Sequence, residues 1–271
     1  MASQIALLLK HGWVNIWKNK TLWIFSSLVL IDPLVRLIVP IPQNESLPSA
    51  LFYLILSIAS LYFMFMSYAG VAFVAYQITI GKSVDFETTF QNSTSLFWRV
   101  VGISFLLVLI VAPCLCLVFI VSYREPFELA YLAHTVFLLL IPLSIFGALW
   151  NFAVTEIIAH DSKIGKSLRT AWAVFTSNFF SLVIIGFAIG IASHMTNIFV
   201  SMATLLVQNS FDFAVLSNLD FISPHLSVTD NNVYKLVSAI AQTPWKTYSA
   251  SVFTFAYLKY SGAKISEKST S

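Results

Sequence analysis

Long unbroken runs of apolar residues alternate along this chain with short polar segments. Six runs reach the roughly 20 residues that a helix needs to cross the hydrocarbon core of a bilayer. They are 21–40, 49–80, 100–121, 131–158, 179–208 and 233–258. None shows the two-residue alternation of a barrel strand, so a β-barrel is not supported. The pattern predicts an all-α, polytopic membrane helix bundle, with residues 1–271 forming a single integral membrane domain. The second run is too long for a perpendicular crossing and must tilt or extend past the membrane. Gly70 offers it a place to bend, and Pro33, Pro113 and Pro142 invite kinks in other runs.

Three more polar segments precede the odd-numbered runs: Gln4 to Lys20, Ser83 to Arg99 and Lys163 to Asn178. In the third, Ile164, Leu168, Ala171, Trp172 and Phe175 fall at helical spacing, with Lys163, Lys166 and Arg169 on other faces. In the first, Ile5, Leu8, Leu9, Gly12, Trp13 and Ile16 share a side. The second is more polar, with Phe86, Phe90 and Phe97 as its apolar positions. Such segments predict amphipathic interfacial helices, apolar face toward the bilayer. Their spacing is close to 80 residues, and aligning Trp13 with Trp172 also aligns Asn19 with Asn178. This suggests a threefold internal repeat over 1–80, 82–160 and 163–260, each unit a surface helix followed by two crossings.

Composition excludes the main alternatives. Hydrophobic residues make up 58% of the 271 and charged residues 10%, against about 25% charged in an ordinary soluble domain. A water-soluble domain could not hide so much apolar surface. A net charge of +3 gives no basis for a nucleic-acid partner, so membrane lipids are the expected surroundings, with protein partners unknown. Cys114 and Cys116 lie two apart on a predicted helix, which argues against a shared disulfide or metal site. No cleavable leader is visible, because the first apolar run starts late and lacks a small-residue cleavage motif.

Charge placement sets orientation. Eleven of the 15 basic residues fall before run one, between runs two and three, between runs four and five, or after run six. The opposite side holds Arg124 and Lys235, with Glu45, Glu125, Glu128, Asp212, Asp220 and Asp230. By the positive-inside rule both termini face the cytoplasm, in a multi-pass protein of the plasma membrane. Trp13, Trp17, Trp23, Trp98 and Trp172 lie near the cytoplasmic ends of the runs, where indole rings favour the headgroup zone.

Catalytic and cofactor motifs are absent from the sequence: no HExxH, GxSxG, Walker A or GxGxxG occurs, and the five histidines are scattered. No cofactor or metal is expected. The acidic loop at 209–232 has no ligand-loop spacing and reads as solvated. The informative residues are ionisable groups inside the runs. Asp32 and Arg36 stand at i and i+4 and can neutralise each other. His194 lies near the middle of run five, and Lys246 near the middle of run six. These four are the candidate intramembrane polar site, by a functional reading in which Lys246 and Asp32 bind an anionic headgroup or relay a proton. The structural reading, preferred here, has Lys246 pairing with Asp32 or snorkelling and His194 bonding between helices. Gly186 and Gly190 form a GxxxG step suited to close helix packing. Glu156 reads as an interfacial acid near Lys163 and Lys166.

The segments HGWVNIWKNKTLWIF, KSLRTAWAVFTSNFFSLVIIGF and TPWKTYSASVFTFAYLKY resemble poorly characterised prokaryotic multi-pass proteins. That group includes the membrane domain fused to some glycerophosphoryl diester phosphodiesterases. The resemblance implies a stand-alone helical membrane module, and no phosphodiesterase catalytic domain is present to carry that activity. The expected function is a non-enzymatic module that organises lipids or partner proteins. The alternatives are a small transporter or channel with an intramembrane polar site, and a lipid-modifying enzyme.

Overall fold

A computed structural model describes residues 2–38, 47–123, 129–208 and 232–262. These residues form α1 (Ala2–Lys18), α2 (Lys20–Ser27), a 3-10 turn (Leu28–Leu30), α3 (Ile31–Ile38), α4 (Leu47–Thr79), α5 (Phe86–Tyr123), α6 (Leu129–His160), α7 (Ile164–Ser177), α8 (Phe179–Gln208) and α9 (Asn232–Tyr260). No strand occurs among them. The loop with Asp212, Asp220 and Asp230, the residues Glu45, Arg124, Glu125 and Glu128, and the tail with Lys264 and Lys268 lie outside the described residues.

Five stretches are long and apolar enough to cross a membrane: Lys20–Ile38, Ala50–Thr79, Phe86–Pro113, Pro142–His160 and Phe179–Thr204. Five such helices are compatible with a multi-pass membrane protein. This chain's apolar side chains point outward where a soluble protein would be polar: Ile55 is 66% exposed, Ile110 65% and Phe199 68%. Only 11% of the most apolar part of Ala50–Thr79 is buried by protein, against 61% for Pro142–His160. Outward-facing surface of this kind needs hydrocarbon as its solvent.

The sixth run forms α9, which is 29 residues long yet does not reach the hydropathy of the other five. Its position explains this. It packs against α1, α3, α4, α6 and α8, and Val252, Phe253, Phe255, Ala256 and Tyr257 are buried. A helix surrounded by protein can carry Gln242, Thr243, Lys246 and Thr247, because neighbouring helices meet their polar groups.

The first run is broken. Pro33 cannot donate to the carbonyl of Val29, and the chain tightens into the 3-10 turn Leu28–Leu30 immediately before α3. Gly70 does something other than bend a helix. It lies within the continuous α4, and a Cβ there would come 2.1 Å from the Phe25 ring. Its missing side chain seats Phe25.

The surface helices differ from expectation in which face they hide. On α1, Leu8, His11, Gly12, Asn15 and Ile16 are buried, whereas Trp13 is exposed. The reason is that α1 packs on α9: a Cβ on Gly12 would meet Val252 at 2.3 Å, and His11 stacks on Phe255 with centroids 3.8 Å apart. On α7, Ser167, Ala171 and Phe175 are buried and Trp172 is exposed. Tryptophans 13, 17, 98 and 172 all lie on the outside.

The surface-helix and crossing pair is built alike in the first and third units. Asn19 leaves the helical region and its side chain accepts the Thr21 amide at 2.9 Å, capping α2. Asn178 breaks the chain between α7 and α8, and its carbonyl accepts the Leu182 amide at 3.1 Å. The second unit is different. Its polar segment and its crossing run on as the 38-residue α5, about 57 Å long at ~1.5 Å per residue. Asn92, the asparagine of that stretch, donates to the Thr88 carbonyl at 2.7 Å and stays helical. Asp85 caps this helix by accepting the Thr88 amide at 2.7 Å. The Thr88 hydroxyl and amide together hold the Asp85 carboxyl below the usual range.

Candidate functional site

α8 and α9 run antiparallel and are joined by a polar ladder at four-residue spacing. The Ser193 hydroxyl donates to Gln242 Oε1, and Gln242 Nε2 returns a bond to the Ser193 carbonyl at 2.9 Å. One turn on, Ser238 donates to Asn197 Oδ1 at 2.9 Å. At the far end the Ser201 and Tyr234 hydroxyls lie 3.2 Å apart. Beside the ladder, Trp245 Nε1 donates to Thr196 Oγ1 at 2.8 Å. Residues four apart share a helix face, so Ser193, Asn197 and Ser201 form one stripe and Tyr234, Ser238 and Gln242 its partner.

One turn past the last rung on α9 is Lys246. Here the helices part around a cavity of about 550 Å³ between α4, α5, α6, α8 and α9, within the ~300–1,000 Å³ range of ligand sites. Its walls are mainly apolar, with Phe65, Val108, Leu143, Ile189 and Phe253. Its polar side chains are Lys246, Asn151, Gln242, Tyr68 and six serines, among them Ser104 and Ser144. The Lys246 ammonium lies 5.6 Å from the Tyr68 ring centroid, within cation–π reach. Tyr68 packs edge-on against Trp150 at 5.3 Å, and Trp150 Nε1 donates to Ser104 at 2.8 Å. Among the described residues no carboxylate pairs with Lys246. A charge within hydrocarbon costs about 2.5–3.5 kcal/mol on insertion scales; the cavity sets Lys246 in a wall that also holds Asn151, Gln242 and six serines. Gly186 opens the floor: a Cβ there would come 2.9 Å from Ser144, so the first glycine of the GxxxG step brings α8 onto α6 as its spacing implies.

Asn151 is the second polar anchor. It is 7% exposed. Its Nδ2 donates to the Gly147 carbonyl at 2.7 Å, while its buried Oδ1 has no protein donor. An orphaned buried acceptor is costly; the residue belongs to the cavity wall, while this oxygen is closed off within it.

The four sequence candidates divide between places. Asp32 and Arg36 form the expected i, i+4 pair, Arg36 Nε donating to both carboxylate oxygens at 3.0 Å. They line a separate cavity of about 530 Å³ with Ser57, Ser60 and Lys235. Lys246 belongs to the first cavity, and His194 is half-buried on α8 without lining either. Met64 lies in the wall of both cavities. Asp32 therefore answers Arg36, and Lys246 lies against Tyr68.

Glu156 is also placed differently from the expectation of an acid near Lys163 and Lys166. It is buried and accepts from Tyr257, from His160 Nδ1 at 2.7 Å and from Ser162 at 2.9 Å. Its neighbours fold over it because the α6–α7 turn reverses at Asp161, whose φ is +49°. Asp161 in turn accepts from Arg99 of α5.

The residues that sequence reading passed over are Asn151, Gln242, Ser193 and Tyr68. The signal was present as two polar stripes at four-residue spacing, 193–197–201 and 234–238–242–246. No protein family, curated protein or solved structure matches this chain.

Proposed function

We propose that this protein crosses the membrane six times, α9 supplying the sixth crossing, with both termini on the cytoplasmic side. In this reading it is a non-enzymatic module that holds and organises lipids. The observation that carries it is the cavity at Lys246: mainly apolar in its exposed surface, open among outward-facing helices, and with one cation in its wall. The rim supports the same reading. Trp13, Trp17 and Trp172 are exposed beside Lys10, Lys166 and Arg169, the arrangement that headgroups and anionic lipid favour. The threefold repeat, and the resemblance to the phosphodiesterase-linked membrane domains, belong to this reading as well.

The test is reconstitution of the full chain into phosphatidylcholine vesicles containing phosphatidylglycerol. The reading expects spin-labelled lipid to be immobilised by the protein, no lipid turnover and no solute flux. Trp13→Ala with Trp17→Ala should reduce the immobilised fraction while the fold persists. Catalytic turnover would overturn it. A second reading, a small transporter, is favoured by Met64 standing in the wall of both cavities. It expects flux that falls in Asp32→Asn and Lys246→Gln, and flux unchanged in both would remove it.

A further inference from the structure

We propose that the cavity between α4, α5, α6, α8 and α9 binds one anionic phospholipid, its phosphate on Lys246. This rests on the lipid-holding function above and names the lipid class. Two features point to it. The first is charge: a lysine set among apolar helices has no carboxylate partner among the described residues, and an anion completes it. The second is the wall: Phe65, Val108, Leu143 and Phe253 offer hydrocarbon contact to an acyl chain, which a free phosphate could not use. Tyr68 steadies the cation from one side at 5.6 Å, leaving its other protons for the ligand.

The experiment is native mass spectrometry of the full chain released from phosphatidylcholine nanodiscs. The nanodiscs are doped in turn with phosphatidylglycerol, phosphatidic acid, or no anionic lipid plus inorganic phosphate. The wild type should retain one phosphatidylglycerol or one phosphatidic acid, and keep neither phosphatidylcholine nor phosphate. Lys246→Gln should weaken phosphatidylglycerol retention at least about tenfold, the scale of a charged hydrogen bond, and Lys246→Arg should restore most of it. Circular dichroism and gel filtration check that each variant is folded, and Lys246→Arg retains the charge should Lys246→Gln misfold. Equal retention by wild type and Lys246→Gln, or a preference for phosphatidylcholine, would overturn the proposal. Retention of phosphate without lipid would show a free-anion site and overturn it too. Turnover or flux in the vesicle assay would instead remove the broader reading, and leaves this binding result standing on its own.

Discussion

Gly70→Ala is the substitution whose outcome the packing fixes most sharply. A Cβ at that position would lie 2.1, 2.6 and 2.8 Å from three atoms of the Phe25 ring. Phe25 is fully buried, and its ring meets Phe86 with centroids 5.4 Å apart, so relief requires α2 to move off α4. Ser26, the next residue, hydrogen-bonds Thr247 beside the cavity, and the disturbance therefore reaches the site. Alanine raises helix propensity by about 1 kcal/mol, while overpacking costs about 1–3 kcal/mol. With all three approaches under 3 Å, the steric term wins by about 1–2 kcal/mol. In a Phe25→Ala background the ring is gone, at a cost of about 3–5 kcal/mol of its own. There the Gly70 methyl enters vacated space, and the same substitution stabilises by about 1 kcal/mol. Unfolding of the purified protein in mild detergent, followed by tryptophan fluorescence against denaturant, reads both values. An effect of the same sign and within about 0.5 kcal/mol in the two backgrounds would refute the contact and the α2–α4 packing built on it.

Other outcomes follow from single contacts. Gln242→Leu removes both bonds to Ser193 and should lower stability by about 0.6–1.7 kcal/mol, the scale of interhelical hydrogen bonds in membranes, measured by the same unfolding assay. Glu156→Ala strips the acceptor from Tyr257, Ser162 and His160 and should cost about 1–3 kcal/mol for each buried donor left unpaired, with loss of the α6–α9 association visible as a broadened transition. Asp85 has a carboxyl held below its ordinary value near 3.8. Its capping contribution is therefore full above that value and fades as pH falls through the lower, folded-state value. Hydrogen exchange at the Thr88 amide should be protected at neutral pH, quicken only in stronger acid, and be fast at every pH in Asp85→Ala. Brominated-lipid quenching should be strong for Trp13, Trp17, Trp98 and Trp172, which are exposed, and should persist in Lys246→Gln.

Much of the helix layout was legible because apolar length is a one-dimensional property. The run read as 179–208 is α8 with the same bounds, and 233–258 differs from α9 by two residues or fewer at each end. The Asp32–Arg36 pair was legible for the same reason, since i, i+4 spacing lies within one helix. What escaped depends on neighbours. Trp13 and Trp172 share spacing with buried apolar residues, yet α9 and α6 choose which flank of each surface helix to cover. Gly70 looked like a hinge because its use is set by Phe25, 45 positions away in sequence. The second surface segment merges with its crossing because no residue there caps a helix as Asn19 and Asn178 do. The cavity was hidden because Lys246 and Asn151 come from different helices, although the stripe 234–238–242–246 marked the α9 face involved.

The central claim is that hydrocarbon bathes the outward faces of these helices. Spin labels at single cysteines replacing Ile55, Ile110, Phe180 and Phe199, in a chain otherwise free of cysteine and reconstituted in vesicles, test it directly. The account predicts relaxation by dissolved oxygen and protection from a water-soluble nickel chelate at all four, with the reverse at Lys82 and Lys166. Strong relaxation by the nickel chelate at Ile55, Ile110 and Phe199 would contradict it.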